Sequence, residues 1–285
     1  MAQATPDMSG KVCLITGANS GIGKATATGL AAAGAIVVMV CRDKSRGEEA
    51  REEVAAASPG GAVSILLADL ASFDSIRALA DEFKLGYNKL DVLINNAAII
   101  ANARTETVDG IEAQFAVNHL AYFLLTNLLL DRLEASAPSR VVNVASIAHL
   151  GARFDFDDLE NKKEYKSFKA YGQSKLANIL FTYELARRLE GTGVTANCLH
   201  PGVVRSNIAR GMALPLRIGA KLFGFLMLST DKGAVTSLYC ATAPELIEVT
   251  GKYFVKSRIA PSSNESHDED LAKRLWEISA EMVGI

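Results

Sequence analysis

Tyr171 and Lys175 stand four positions apart within residues 168–189, a segment whose apolar spacing predicts a long helix. At that spacing both side chains leave one face toward the same point. A free tyrosine ionises near pH ~10, too high for an efficient base near neutrality. An ammonium beside it favours the phenolate, which makes the pair a candidate proton donor and acceptor. Ser146 ends the apolar run 140–146, predicted to be a strand. A hydroxyl at the C-terminal end of a parallel strand sits where ligands bind in such sheets and can donate to a substrate oxygen. His149 lies near enough to suggest a serine hydrolase, but no G-x-S-x-G elbow is present and no acidic partner can be placed. His149 and His200 are read as structural or pocket-lining groups.

The turn Gly17-Ala18-Asn19-Ser20-Gly21-Ile22-Gly23 follows the apolar run 12–16 and opens an Ala-rich segment. Glycines permit the tight turn and let backbone N–H groups approach a pyrophosphate, whose charge the helix N-terminus stabilises. The strand-then-helix context gives the glycines their meaning.

The elements that must position these groups alternate along the chain. Strands are predicted at 12–16, 36–41, 62–68, 90–95, 140–146 and 194–199. Helices are predicted at 23–33, 45–57, 72–83, 108–133, 168–189 and 270–282. Short, almost continuously apolar strands separated by helices indicate a single doubly wound parallel β-sheet with helices on both faces. No linker or repeat divides the 285 residues, so one domain is expected, with a probable substrate lid at 205–228 and a C-terminal extension at 256–285. A net charge of −2 gives no reason to expect nucleic acid or an anionic membrane as partner. The polar first ten residues suggest neither a signal peptide nor an anchor. The four cysteines lack C-x-x-C spacing and read as buried free thiols. A cytoplasmic protein without a metal site is expected.

The G-x-x-x-G-x-G spacing, together with Asp69, Asn95-Asn96-Ala97-Ala98, Asn118, Ser146, Tyr171-x-x-x-Lys175 and His200-Pro201-Gly202, resembles the short-chain dehydrogenase/reductase family over residues 10–253. Ala98 stands where that family more often has Gly. The resemblance implies a Rossmann fold and a nicotinamide cofactor. It makes Asn118, Ser146, Tyr171 and Lys175 the catalytic set, with Asn118 holding a relay water and Lys175 also holding the nicotinamide ribose. It places Gly17, Asn19, Ser20, Gly21, Ile22 and Gly23 around the pyrophosphate, and Asp69 and Leu70 beside the adenine. Asn96 and Ala97 would line the adenine-ribose side, and Pro201, Val204 and Ser206 the carboxamide side. Asp69 has a second reading, as an acid stabilising the following helix.

The predicted second strand ends in Arg42-Asp43, with Lys44 and Arg46 nearby. Arg42 can pair with a 2′-phosphate through its planar fork, so NADP(H) is the expected cofactor; Asp43, which could serve a ribose diol, is the counter-argument. The 147–170 insertion, with Ala145–His149, Ser174–Asn178 and Gly251–Phe254, is similar to the retinol dehydrogenase-like branch. That implies a small lipophilic carbonyl or alcohol as substrate, and the apolar 205–228 segment suits one. A cofactor-binding scaffold or sensor without turnover, or a C=C reductase resembling protochlorophyllide reductase, are the alternatives. The resemblance also implies a homodimer or homotetramer, formed by the helix after Ala98 and the Tyr171 helix across a two-fold axis.

Overall fold

The computed structural model describes residues 6–57, 62–204 and 228–285. Side chains alternate along each central strand between two apolar cores, because both faces of the sheet are covered. In β1 (Val12–Thr16), Val12 and Leu14 enter one core while Cys13 and Ile15 enter the other; β2 (Ile36–Cys41) divides in the same way. The remaining strands are β3 (Val63–Leu67), β4 (Val92–Asn95), β5 (Ser139–Val144), β6 (Val194–His200), β7 (Tyr253–Val255) and β8 (Arg258–Ile259). They form one sheet in the order β3-β2-β1-β4-β5-β6-β7-β8. All neighbours are parallel except β8 against β7. The order reverses between β1 and β4, the position where such sheets open a crevice beyond the strand C-termini.

Helices α1 (Gly21–Ala32) and α2 (Lys44–Ala56) open the layer on one face, and α3 (Phe73–Gly86) lies on the other. The helix expected at 108–133 starts later and is broken. It comprises α4 (Ala113–Phe115), a π-turn over Ala116–Leu120, α5 (Ala121–Leu128) and α6 (Leu130–Glu134). Helix α7 (Ser167–Arg188) carries the tyrosine and lysine, α8 (Thr230–Thr242) packs on α1, and α9 (Glu269–Val283) follows a polar loop. Sequence reasoning missed α8, whose Thr, Gly and Ser residues have low helix propensity, and the very short β7 and β8.

Helix α9 buries Ala272, Leu275, Ser279 and Val283 on one stripe against α5 and α7. Its Trp276 meets Phe123 edge-on at 4.9 Å and lies under Arg188, and Ser279 Oγ sits 2.9 Å from the buried His119 Nε2. Residues 172–186 of α7 are buried throughout. Residues 121–126 of α5 and 172–186 of α7 are therefore already covered inside one chain. Of the expected lid, 205–227 lies outside the described residues, as does Ser206. Among the described residues no helix is long and apolar enough to cross a membrane.

Candidate active site

Beyond β1 the chain turns sharply at Gly17 (φ 66°) and Gly21 (φ 59°), conformations that glycine adopts without strain. A Cβ on Gly23 would come within 2.4 Å of the Gly17 carbonyl oxygen, so only a bare backbone fits where the helix folds over the turn. Asn96 and Thr16 brace this turn. Asn96 Nδ2 donates to Thr16 O at 2.9 Å, and Thr16 Oγ1 accepts from the Asn96 and Ala97 N–H groups at 2.9 and 3.1 Å. The Asn96 side chain thus points back at the glycine turn, a bracing role for which the sequence carried no signal.

Asp43, Ser72, Ser229 and Asp268 each cap their helix, but Ser20 makes no side-chain hydrogen bond to α1, and no acid lies in its first turn. The uncapped N–H groups and the Cβ-free cradle fit a pyrophosphate between the half-buried Asn19, Ser20 and Ile22.

At the end of β2, Arg42 is exposed and enters no ion pair among the described residues. Asp43 instead accepts from Arg46 N at 2.8 Å and caps α2. Asp69 accepts from Ala71 N at 3.0 Å and is exposed beside the buried Leu70, while Ser72 caps α3. Ser72 is thus the cap of α3, and Asp69 lies three residues ahead of it.

The catalytic candidates converge at the end of β5. Ser146 is extended, and its Oγ accepts from Ala148 N at 3.2 Å, starting a short turn over Ile147–His149. One turn of α7 separates Tyr171 from Lys175. Lys175 is 1% exposed, and its Nζ donates to Val144 O at 2.9 Å. The same Nζ lies 5.7 Å from the Tyr171 ring centre and 5.6 Å from that of Tyr122. Tyr122, a buried α5 residue whose hydroxyl has no partner among the described residues, carried no signal in the sequence beyond its apolar surroundings.

Burial pushes the Tyr171 phenol up to about 12, against a lowering by its hydrogen bond with Ser146, and pushes the Lys175 amine down to about 7. Desolvation of both groups dominates this balance in the protein without cofactor, a contribution that the sequence expectation, which counted charge alone, did not include.

Asn118 sits in the π-turn, where Ala121 N reaches back five residues to Ala116 O. Its side chain accepts from Ile99 N at 2.8 Å and donates to Ile99 O and Ser174 Oγ, both at 3.0 Å. It thereby ties the loop after β4 to α7 next to Lys175. Past β6, Pro201 is half-buried, and Val204 bridges to Leu228. Pro201 and Val204 follow β6; the glycine turn, Arg42, Asp69, Asn96 and Ser146 follow the C-terminal ends of β1, β2, β3, β4 and β5, and α7 carries Tyr171 and Lys175.

The model of the family described as short chain dehydrogenase matches residues 11–214. Retinol dehydrogenase 12 of Mus musculus is 50% identical over 276 residues, covering 97% of this chain and 87% of that protein. Retinol dehydrogenase 14 of Homo sapiens is 47% identical, covering 98% of this chain and 88% of that one. Among solved structures, an uncharacterized protein from Mycobacterium paratuberculosis superposes with a TM-score of 0.81 at 36% identity, covering 100% of this chain and 97% of that chain. The Pseudomonas aeruginosa RhlG/NADP active-site complex gives 0.71 at 27% identity, covering 89% and 97%.

Proposed function

The chain belongs to the short-chain dehydrogenase family, in its retinol dehydrogenase-like branch, and from that premise we propose an NADP(H)-dependent oxidoreductase acting on the carbonyl/alcohol pair of a lipophilic small molecule. The observation that carries this reading is the convergence of Ser146, Tyr171 and Lys175 at the end of β5. When bound, the nicotinamide supplies the hydride to the carbonyl carbon, or takes it back from the alcohol. Ser146 donates a hydrogen bond to the substrate oxygen. The Tyr171 hydroxyl, protonated throughout the neutral range with a value near 12, gives its proton to that oxygen as the C–H bond forms. Lys175 restores the proton and holds the ribose.

Arg42 supports the choice of NADP(H), since it stands exposed at the end of β2 while Asp43 is engaged as a helix cap. The RhlG complex, a structural neighbour, carries NADP. A lipophilic substrate is supported by Ile147, Leu150, Phe168 and Val203, large apolar side chains exposed within four residues of Ser146, Tyr171 or Pro201. The four cysteines are free and buried, which suits a reducing compartment. NADPH consumption with all-trans-retinal, decanal and glyceraldehyde, and NADH as control, tests the reading. Turnover of the first two with NADPH is expected. Equal use of NADH, or preference for glyceraldehyde, refutes the cofactor or the substrate class respectively.

A further inference from the structure

His149 lies behind Ser146, only 1% exposed, and both of its ring nitrogens are engaged. Nδ1 is 2.6 Å from the Ser146 carbonyl oxygen, and Nε2 is 3.2 Å from the Ser263 backbone nitrogen. A carbonyl only accepts and a backbone N–H only donates, so Nδ1 carries the proton and Nε2 offers its lone pair. The neutral ring is therefore fully used, and burial, which lowers its pKa, favours that form. The His149 backbone N–H reaches the same Ser146 oxygen at 3.2 Å, and the ring stands edge-on to Tyr253 at 5.1 Å.

Ser263 belongs to a polar knot. Ser262 Oγ is 2.9 Å from Tyr183 OH on α7 and 3.1 Å from His267 Nε2, while Ser266 Oγ lies 2.6 Å from both Ser262 Oγ and Ser263 O. His267 stacks on Tyr183 at 5.3 Å. The knot leads directly into α9, which covers α5 and α7. One imidazole thus connects the main chain of the candidate catalytic serine to the segment that closes the outer face of the Tyr171 helix.

We infer that His149 is a positioning residue. Its Nδ1–H fixes the carbonyl of Ser146, and with it the direction of the serine hydroxyl, while Nε2 seats the ring on the backbone N–H of Ser263. The inference rests on the reading of Ser146 as hydrogen-bond donor to the substrate oxygen. A hydroxyl aimed by packing and a second hydrogen bond loses effect when its support is removed, even where the fold persists.

Three substitutions separate the two ends of the link. In His149→Asn the amide nitrogen replaces Nδ1 and keeps the bond to Ser146. In His149→Gln the longer amide reaches the Nε2 position and keeps only the Ser263 contact. His149→Phe keeps neither. Each is compared with wild type by NADPH fluorescence titration and by kcat and KM for all-trans-retinal with NADPH. Gln and Phe are expected to lose about tenfold or more in kcat with NADPH affinity unchanged, and Asn to recover most of it. Gln and Asn turning over equally, at whatever level, overturns the inference, as does a parallel loss of NADPH binding in all three. Ser146→Ala distinguishes the failures. If it keeps wild-type turnover, the reading of the site falls and this inference with it. If it is inactive while His149→Gln is unimpaired, only the inference falls.

Discussion

Lys175 Nζ donates to the main-chain oxygen of Val144, two residues before Ser146, so the amine on α7 and the hydroxyl beyond β5 are registered to one strand end. This bond gives the buried amine one acceptor, while desolvation holds its pKa near 7 instead of above 10. Two aromatic rings flank the amine, so a modest change in its surroundings shifts its charge at working pH.

That value sets a pH dependence. The amine's folded-state pKa is depressed, so its charged form is present below about 7 and is lost as pH rises through that value. Carbonyl reduction uses the ammonium to re-protonate the tyrosine, so kcat/KM for NADPH, which reports the unliganded protein, should fall as pH rises past about 7. A profile that stays flat well above that value would show that Lys175 remains charged or is not needed.

Arg42→Ala should remove a charge-assisted contact to the 2′-phosphate worth ~1.5–3 kcal/mol, about ten- to a hundredfold in NADPH affinity. NADH affinity should barely change, because no phosphate is there to lose. Fluorescence titration of both cofactors checks this, and an equal loss for the two would place Arg42 in a structural role.

Much of this site was legible because it depends on local order. The glycine spacing after an apolar strand, the i, i+4 Tyr171/Lys175 pair and the serine at a strand end all lie within single segments, and the helix and strand periods place them. What escaped depends on tertiary contact. The bracing of the turn by Asn96 and Thr16, and the Val144 carbonyl under Lys175, join residues up to eighty positions apart. Tyr122 reads as one more apolar position in α5. The π-turn at Asn118 interrupts a helix whose residues show no breaker, so the sequence predicted one long helix. The burial that raises the Tyr171 value in the protein without cofactor is likewise not written in spacing.

The covered faces of α5 and α7 bear on assembly. With α9 in place no stripe of α7 between 172 and 186 is open to a second copy, so light scattering at micromolar concentration should give the mass of one chain. A stable dimer would require another surface. Trp276→Glu, by loosening α9 from Phe123 and Phe181, should instead promote association or aggregation as apolar surface is exposed.

The chemical step separates Tyr171 from its neighbours most sharply. Tyr171→Phe keeps the ring and its packing next to Lys175 and removes the one group assigned to pass a proton to the developing alkoxide. General acid catalysis contributes ~10²–10⁴-fold, so kcat should fall by at least about a hundredfold while NADPH affinity stays near wild type. Lys175→Ala should damage both, because the amine is assigned to the ribose as well as to the proton. In the alcohol-oxidising direction the phenolate is the working form. Burial holds the phenol near 12 without cofactor, so oxidation should rise as pH increases, and an oxidised nicotinamide, being cationic, should move the limb downward from there. That limb should be absent in the Phe variant. A Tyr171→Phe protein retaining more than about a tenth of its turnover would show that water or another residue supplies the proton, and Ser146, the hydroxyl at the end of β5, would be the first to examine.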